Sequence, residues 1–116
     1  MPKLNMSGPY KLDNETIDKE VTKISPGNYA LGKENKEGGL IIKYVGRADK
    51  DLNGRLKSWV DERSYTHFKY SYASSIKNAF EEECRNYHDW KNLDNDIHPD
   101  RPDGKDYKCP YCDIFE

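Results

Sequence analysis

Apolar residues are scarce in this chain: 34% of its 116 residues are hydrophobic, no more than are charged, and the mean hydropathy is -1.10. No run is long and apolar enough to span a bilayer, and Met1-Pro2-Lys3-Leu4 lacks the apolar centre of a secretion signal. No membrane partner is expected, and a cytoplasmic location is the default. A large charge excess is also missing. The net charge of -2 excludes a strongly basic protein that coats nucleic acid, yet leaves room for a local basic face of Lys33, Lys43, Arg47, Arg55 and Lys57. Cysteine is limited to three residues, an odd number that cannot all pair within one chain, and a reducing compartment disfavours disulfides. What the chain has instead is tyrosine, nine in all. Each ring buries a large area while its hydroxyl seeks a partner. A length of 116 residues fits one domain with a small core.

Residues 1–12 hold Gly8, Pro9 and few apolar groups, and read as a mobile start. Asp13 or Asn14 caps a short helix that packs through Ile17 and Val21. Pro26-Gly27 ends it. Asn28 to Leu31 reads as a strand, Gly32 to Gly39 as a polar turn, and Leu40-Ile41-Ile42-Lys43-Tyr44-Val45 as the strongest strand of the chain, which makes a hairpin. Beyond Gly46 the period changes: Leu52, Leu56, Trp59 and Val60 fall at helical spacing, capped by Asp51, and predict a helix to about Glu62. Phe68 to Tyr72 alternates as a third strand. Ser74 or Ser75 opens a second main helix with Ile76, Ala79, Phe80, Cys84 and Tyr87 as its buried stripe, ending near Trp90. The remainder, with three of the six prolines, shows little periodicity and needs a fastener. The expected fold is α/β (α+β), a small, mainly antiparallel three-stranded sheet flanked by helices.

Two glycine-tyrosine patterns mark this frame, Gly27-Asn28-Tyr29 and Tyr44-Val45-Gly46. Arg55 follows on the first main helix and Glu83, in Ala79-Phe80-Glu81-Glu82-Glu83, on the second. In that order and on those elements they resemble the GIY-YIG nuclease domain, over roughly Gly27 to Asn95. Asn28 stands where the family usually has an apolar residue, and Trp59 where it often has His or Tyr. The resemblance divides the chain into an N-terminal extension (1–25), a nuclease-like domain (26–95) and an irregular tail (96–116).

The resemblance implies a metal-dependent endonuclease. Glu83 would hold Mg²⁺ or Mn²⁺, and Arg55 would neutralise phosphate charge with its planar fork. Tyr29 would be the base and Tyr44 its supporting partner. A tyrosine needs a nearby cation to serve as a base, because its ordinary pKa is about 10. His67 is the candidate to replace the polar group that Trp59 lacks. Arg47, Lys43, Lys57 and Asn95 are the candidate nucleic-acid contacts. Nucleic acid, DNA first, is the expected partner, with action inside a larger complex or as a homo-oligomer open. The alternative is a module of the same fold that binds nucleic acid or protein with little or no activity.

The tail suggests a second chemistry. Cys84 and His88 are four apart on one helix and share a face, and Cys109-Pro110-Tyr111-Cys112 is a Cys-x-x-Cys knuckle. These four could close a structural Zn²⁺ site that pins the tail to the second main helix, with His98 as competitor for the histidine position. Glu83 would point about 100° around the helix from Cys84. Cys-Pro-Tyr-Cys also spells a glutaredoxin active site, but that chemistry needs a helix after the pair, and four residues follow Cys112.

Overall fold

The computed structural model describes residues 6–61, 65–90, 93–95, 98–102, 104–112 and 114. It is an α+β fold in which a four-stranded antiparallel sheet carries three helices. The elements are β1 (Ser7–Lys11), α1 (Asn14–Glu20), β2 (Gly27–Glu34), β3 (Leu40–Ala48), α2 (Leu52–Lys57), β4 (His67–Tyr72) and α3 (Ile76–Asp89). The strand order is β1-β4-β2-β3.

The fourth strand corrects the expected three. β1 lies where a mobile start was expected, and pairs with β4 through Ser7 opposite Tyr70 and Tyr10 opposite Phe68. Gly8 and Pro9 hide it from a propensity reading, and the register shifts around them. Its strength comes from tertiary contact, with Tyr10 against Phe68 at 5.7 Å between ring centroids. Leu12, which follows, is buried. Residues 6–25 thus supply an edge strand and the core helix α1 to the same sheet.

The β2–β3 hairpin runs from Gly27 opposite Ala48 to Glu34 opposite Leu40, with a register shift after Leu31. Its turn is closed by Asn35, whose side-chain oxygen accepts from the backbone N–H of Glu37 and Gly39, and by Gly38 at φ 83. One sheet face packs on α1 and α2 through Leu12, Ile17, Val21, Tyr29, Leu31, Leu52, Leu56 and Phe68. The other receives α3, with Ala30 and Val45 beside Tyr87 and Trp90, and Phe80 and Cys84 beside Cys109. The apolar residues are few, and they fill both faces of one sheet.

The caps lie where the sequence puts them. Asp13 accepts from Thr16 N–H, Asp51 from Gly54 N–H and Ser75 from Asn78 N–H. α2 is shorter than its periodicity suggests. After Lys57 the backbone bonds tighten to three-residue steps, Trp59 N–H to Leu56 O and Val60 N–H to Lys57 O, and Asp61 at φ 67 turns the chain away. Trp59 and Val60 still pack on the core, so helical spacing survives without a continuous helix. The expected helix end at Glu62 lies outside the described residues. No helix among the described residues is long and apolar enough to cross a membrane.

Candidate active site and metal centre

Tyr29, Tyr44, Arg55 and Glu83 line one cleft of about 660 Å³. β2 supplies Tyr29, β3 Tyr44, α2 Arg55 and α3 Glu83. Both motif glycines have steric reasons. A Cβ on Gly46 would lie 2.5 Å from the Tyr29 ring and hydroxyl, and one on Gly27 would lie 2.5 Å from the Ser71 carbonyl and 2.7 Å from Leu52. Gly46 stands directly opposite Tyr29 in the ladder. The glycine makes the space the tyrosine ring fills.

Tyr29 is 1% exposed. Burial pushes its hydroxyl up to about 12, against the opposing pull of the adjacent Arg55 guanidinium and of Trp59. The Trp59 indole N–H donates to that hydroxyl at 2.8 Å, so the position where a polar side chain was missed supplies a donor. Burial outweighs the N–H groups of Trp59 and Arg55 on its oxygen, so the Tyr29 hydroxyl keeps its proton. That disfavours the base role the resemblance gave it. Tyr44 is half-buried in the wall, 4.6 Å from the Trp59 ring and 6.4 Å from Tyr29 between centroids. Arg55 is exposed. The hydroxyls of Tyr29, first, and Tyr44 favour its charged form.

Glu83 sits in an acidic run that reads as a solvent face, yet it is buried, 8% exposed. Arg47 holds it: Nη1 donates to Glu83 Oε1 at 2.6 Å and to the Asp100 carbonyl at 2.5 Å, while Nε donates to Asp49 Oδ1 at 2.7 Å. The side chains of Arg47 and Glu83 are each 11% exposed. Burial outweighs this pairing and raises Glu83 to about 7. Arg47, expected as a nucleic-acid contact, is instead committed to three acceptors within the protein. Asn95 lines the cleft, but its amide is also used internally: it accepts from Val45 N–H at 3.0 Å and donates to Val45 O at 2.8 Å.

Three expected residues do not line this cleft. Lys57 pairs with Asp18 at 2.6 Å, joining α2 to α1. Lys43 lies further along β3, where its carbonyl accepts from Asp94 N–H at 2.5 Å. His67 sits opposite Gly32, at the end of β4 remote from the Gly27–Tyr72 pair, with Nδ1 2.8 Å from the Thr66 hydroxyl. It cannot substitute for a group at Trp59. Sequence reasoning missed Asp49, Asp51 and Asp100, which add carboxylates to the wall. The closeness of Asp49 and Asp51 to Gly46 was the available signal.

The second group is made by His88, His98, Cys109 and Cys112, whose ligand atoms all lie within 4.8 Å of one another. Nε2 of His88 is 3.2 Å from Nε2 of His98 and 3.5 Å from Cys109 Sγ, and Cys112 Sγ is 3.4 Å from His98 Nε2. A zinc tetrahedron with Zn–N of about 2.0 Å and Zn–S of about 2.3 Å has N–N edges of about 3.3 Å and N–S edges of about 3.5 Å. The spacing matches, so this His₂Cys₂ cluster could bind a metal such as zinc. His98 Nδ1 lies 2.8 Å from the Pro99 carbonyl, which suits a tautomer with Nε2 open to a metal. Tyr111 N–H points at Cys109 Sγ, 3.4 Å away. Both histidines therefore belong, and Cys84 does not. Its thiol is fully buried with Phe80 and Cys109, where burial first, and then Cys109, push its pKa up. That suits a core residue better than a thiolate ligand. The cysteine pair facing two imidazoles also weakens the thiol-exchange reading.

No protein-family model matches the chain, and no curated protein or solved structure matches it.

Proposed function

We propose that the protein is a metal-dependent endonuclease of GIY-YIG type, hydrolysing phosphodiester bonds in nucleic acid, DNA first. The observation supporting this is the convergence of Tyr29, Tyr44, Arg55 and Glu83 from four elements on one cleft. The donor set at Glu83, with Asp49 and Asp100 on the same wall, is all oxygen and fits Mg²⁺ or Mn²⁺, which take one or two carboxylates and keep water and phosphate for the rest. Bound there, the ion would supply Lewis-acid polarisation of a phosphoryl oxygen and a lowered pKa for water. Arg47 orients the carboxylate. Arg55 faces the cleft with its fork available to phosphate oxygens. The Tyr29 hydroxyl oxygen accepts from the Arg55 guanidinium and so fixes it. Tyr44 lines the wall near the Arg55 charge and would position the attacking water.

Purified protein with Mg²⁺ or Mn²⁺ should cut DNA, and Arg55→Ala should slow cleavage by about 10²-fold to 10³-fold with unchanged circular dichroism. Full activity in that variant, or no cutting of any DNA or RNA form, would remove the enzymatic reading.

A pH dependence follows from Glu83. Its pKa of about 7 lies above the ordinary carboxylate value, so a proton competes with the cation at mildly acid pH. Mn²⁺ affinity, measured calorimetrically, should be about tenfold weaker at pH 6 than at pH 8. In metal-free protein the sign for stability is the opposite. Between the unfolded value near 4.5 and the folded value near 7 the native state holds more protons, so stability falls as pH rises through that window.

The binding-module alternative draws on two observations, the burial of Tyr29, which raises its pKa, and the commitment of Arg47 to acceptors within the protein. Salt-dependent binding with no metal requirement would be its signature.

A further inference from the structure

Among the described residues between α3 and the cysteine knuckle, Asp94, Asn95 and Asp100 lie against β3. Asp94 N–H donates to Lys43 O, the Asn95 amide exchanges two hydrogen bonds with Val45, and the Asp100 carbonyl accepts from Arg47. The backbone of Lys43, the backbone of Val45 and the side chain of Arg47 are thus met in order by these residues, together the strap. The strap has no regular secondary structure among its described residues. A few local hydrogen bonds, each of small net value, oppose the entropy of fixing this backbone. His98, two residues before Asp100, belongs to the His₂Cys₂ group, and so does His88 on α3. Glu83 stands five residues before His88 on the same helix. The contacts therefore form a ring: from Glu83 to Arg47, to Asp100, to His98, across the ligand group to His88, and back along α3. The span between the two histidine side chains is the one step in that ring that a metal would close.

We propose that metal loading of His88, His98, Cys109 and Cys112 fastens Asp94, Asn95 and Asp100 against β3 and, through the Asp100 carbonyl and Arg47, sets the position of Glu83. Arg47 is a positioning residue here. Its Nη1 serves both Glu83 and Asp100, so a strap that lifts takes one of its three acceptors away and leaves the guanidinium held by Glu83 and Asp49 alone. The role of Glu83 as cation ligand rests on the endonuclease reading, whereas the fastening of the strap does not.

The test compares the full chain loaded with Zn²⁺ and stripped with a chelator, using amide hydrogen exchange and the guanidinium NMR signals of Arg47. Val45 N–H depends on Asn95 for its partner, while Ala30 and Leu31 lie on the central strand β2. Stripping should lower protection of Val45 by about tenfold or more with Ala30 and Leu31 unchanged, and should broaden the Arg47 signals. Cys112→Ser, outside the cleft, should do the same in the presence of Zn²⁺. Unchanged Val45 protection and sharp Arg47 signals after stripping would overturn the proposal. Loss of protection throughout β2 would also overturn it, because the metal would then hold the whole fold and not the strap. A parallel Mn²⁺ titration separates the two readings: failure of Mn²⁺ to bind either form, with Val45 and Arg47 responding, refutes Glu83 as a cation ligand and leaves the strap established.

Discussion

Glu83→Gln should lower cleavage by about 10³-fold, about 4 kcal/mol of transition-state stabilisation, while the protein remains folded. The substitution keeps the shape of the side chain and its carbonyl oxygen toward Arg47 Nη1, 2.6 Å away in the parent, and removes the charge that a divalent cation requires. Losing a buried charge has a second consequence. Because burial holds Glu83 near pKa 7, its ionised form is disfavoured in the metal-free native state. The glutamine variant should therefore lack the decline in stability that the parent shows as pH rises from about 4.5 to about 7. Denaturant melts at pH 5 and pH 8 without metal measure this, and a plasmid-nicking assay with Mn²⁺ measures the rate. A variant that keeps more than a tenth of the parent rate would show that the carboxylate is not the cation's anchor. A variant that unfolds would show that Arg47 needs the full charge opposite it.

Much of the frame was legible in the sequence because local rules and tertiary packing agree. Asp13, Asp51 and Ser75 are side chains that satisfy helix N–H groups wherever they fall before an apolar period, and each caps a helix. The β2–β3 hairpin was visible because its polar turn separates two apolar runs. β1 was not, since Ser7-Gly8-Pro9-Tyr10-Lys11 has poor strand propensity and is held by β4 and by the Tyr10 and Phe68 rings. The cleft was legible as an ordered series, but the environment of its members was not. The resemblance picked Glu83 out of the run with Glu81 and Glu82, but its burial was not legible until Arg47, 36 residues away, was placed against it. Trp59 looked like a missing polar group because composition does not say where an indole N–H points. The ligand set failed for a similar reason. Helical spacing correctly puts Cys84 and His88 near one another, yet only the path of the tail decides that His98 takes the fourth position while Cys84 faces Phe80 and Cys109.

Gly46→Ala should damage both stability and rate, and it tests the packing on which the cleft depends. The added methyl would lie 2.5 Å from Cζ and Oη of Tyr29 and 2.9 Å from Cε2, closer than non-bonded carbon atoms approach. A flexible side-chain end could move aside, but this ring is 1% exposed, hydrogen-bonded to Trp59 at 2.8 Å and packed beside Tyr44. Overpacking of this kind costs about 1–3 kcal/mol, read as a lower denaturation midpoint. The hydroxyl must shift by about 1 Å, which takes the partner of Arg55 with it, and a misplacement of that size costs about 10²-fold in rate. The double variant Tyr29→Phe with Gly46→Ala separates the two effects. Removing the hydroxyl relieves the contact at Oη, so part of the lost stability should return, with a non-additive coupling between the two sites. Activity should not return, because the acceptor that fixes Arg55 is gone. If the single variant melted and cut like the parent, Tyr29 would have room to move, and the glycine in Tyr44-Val45-Gly46 would have no steric reason to be there.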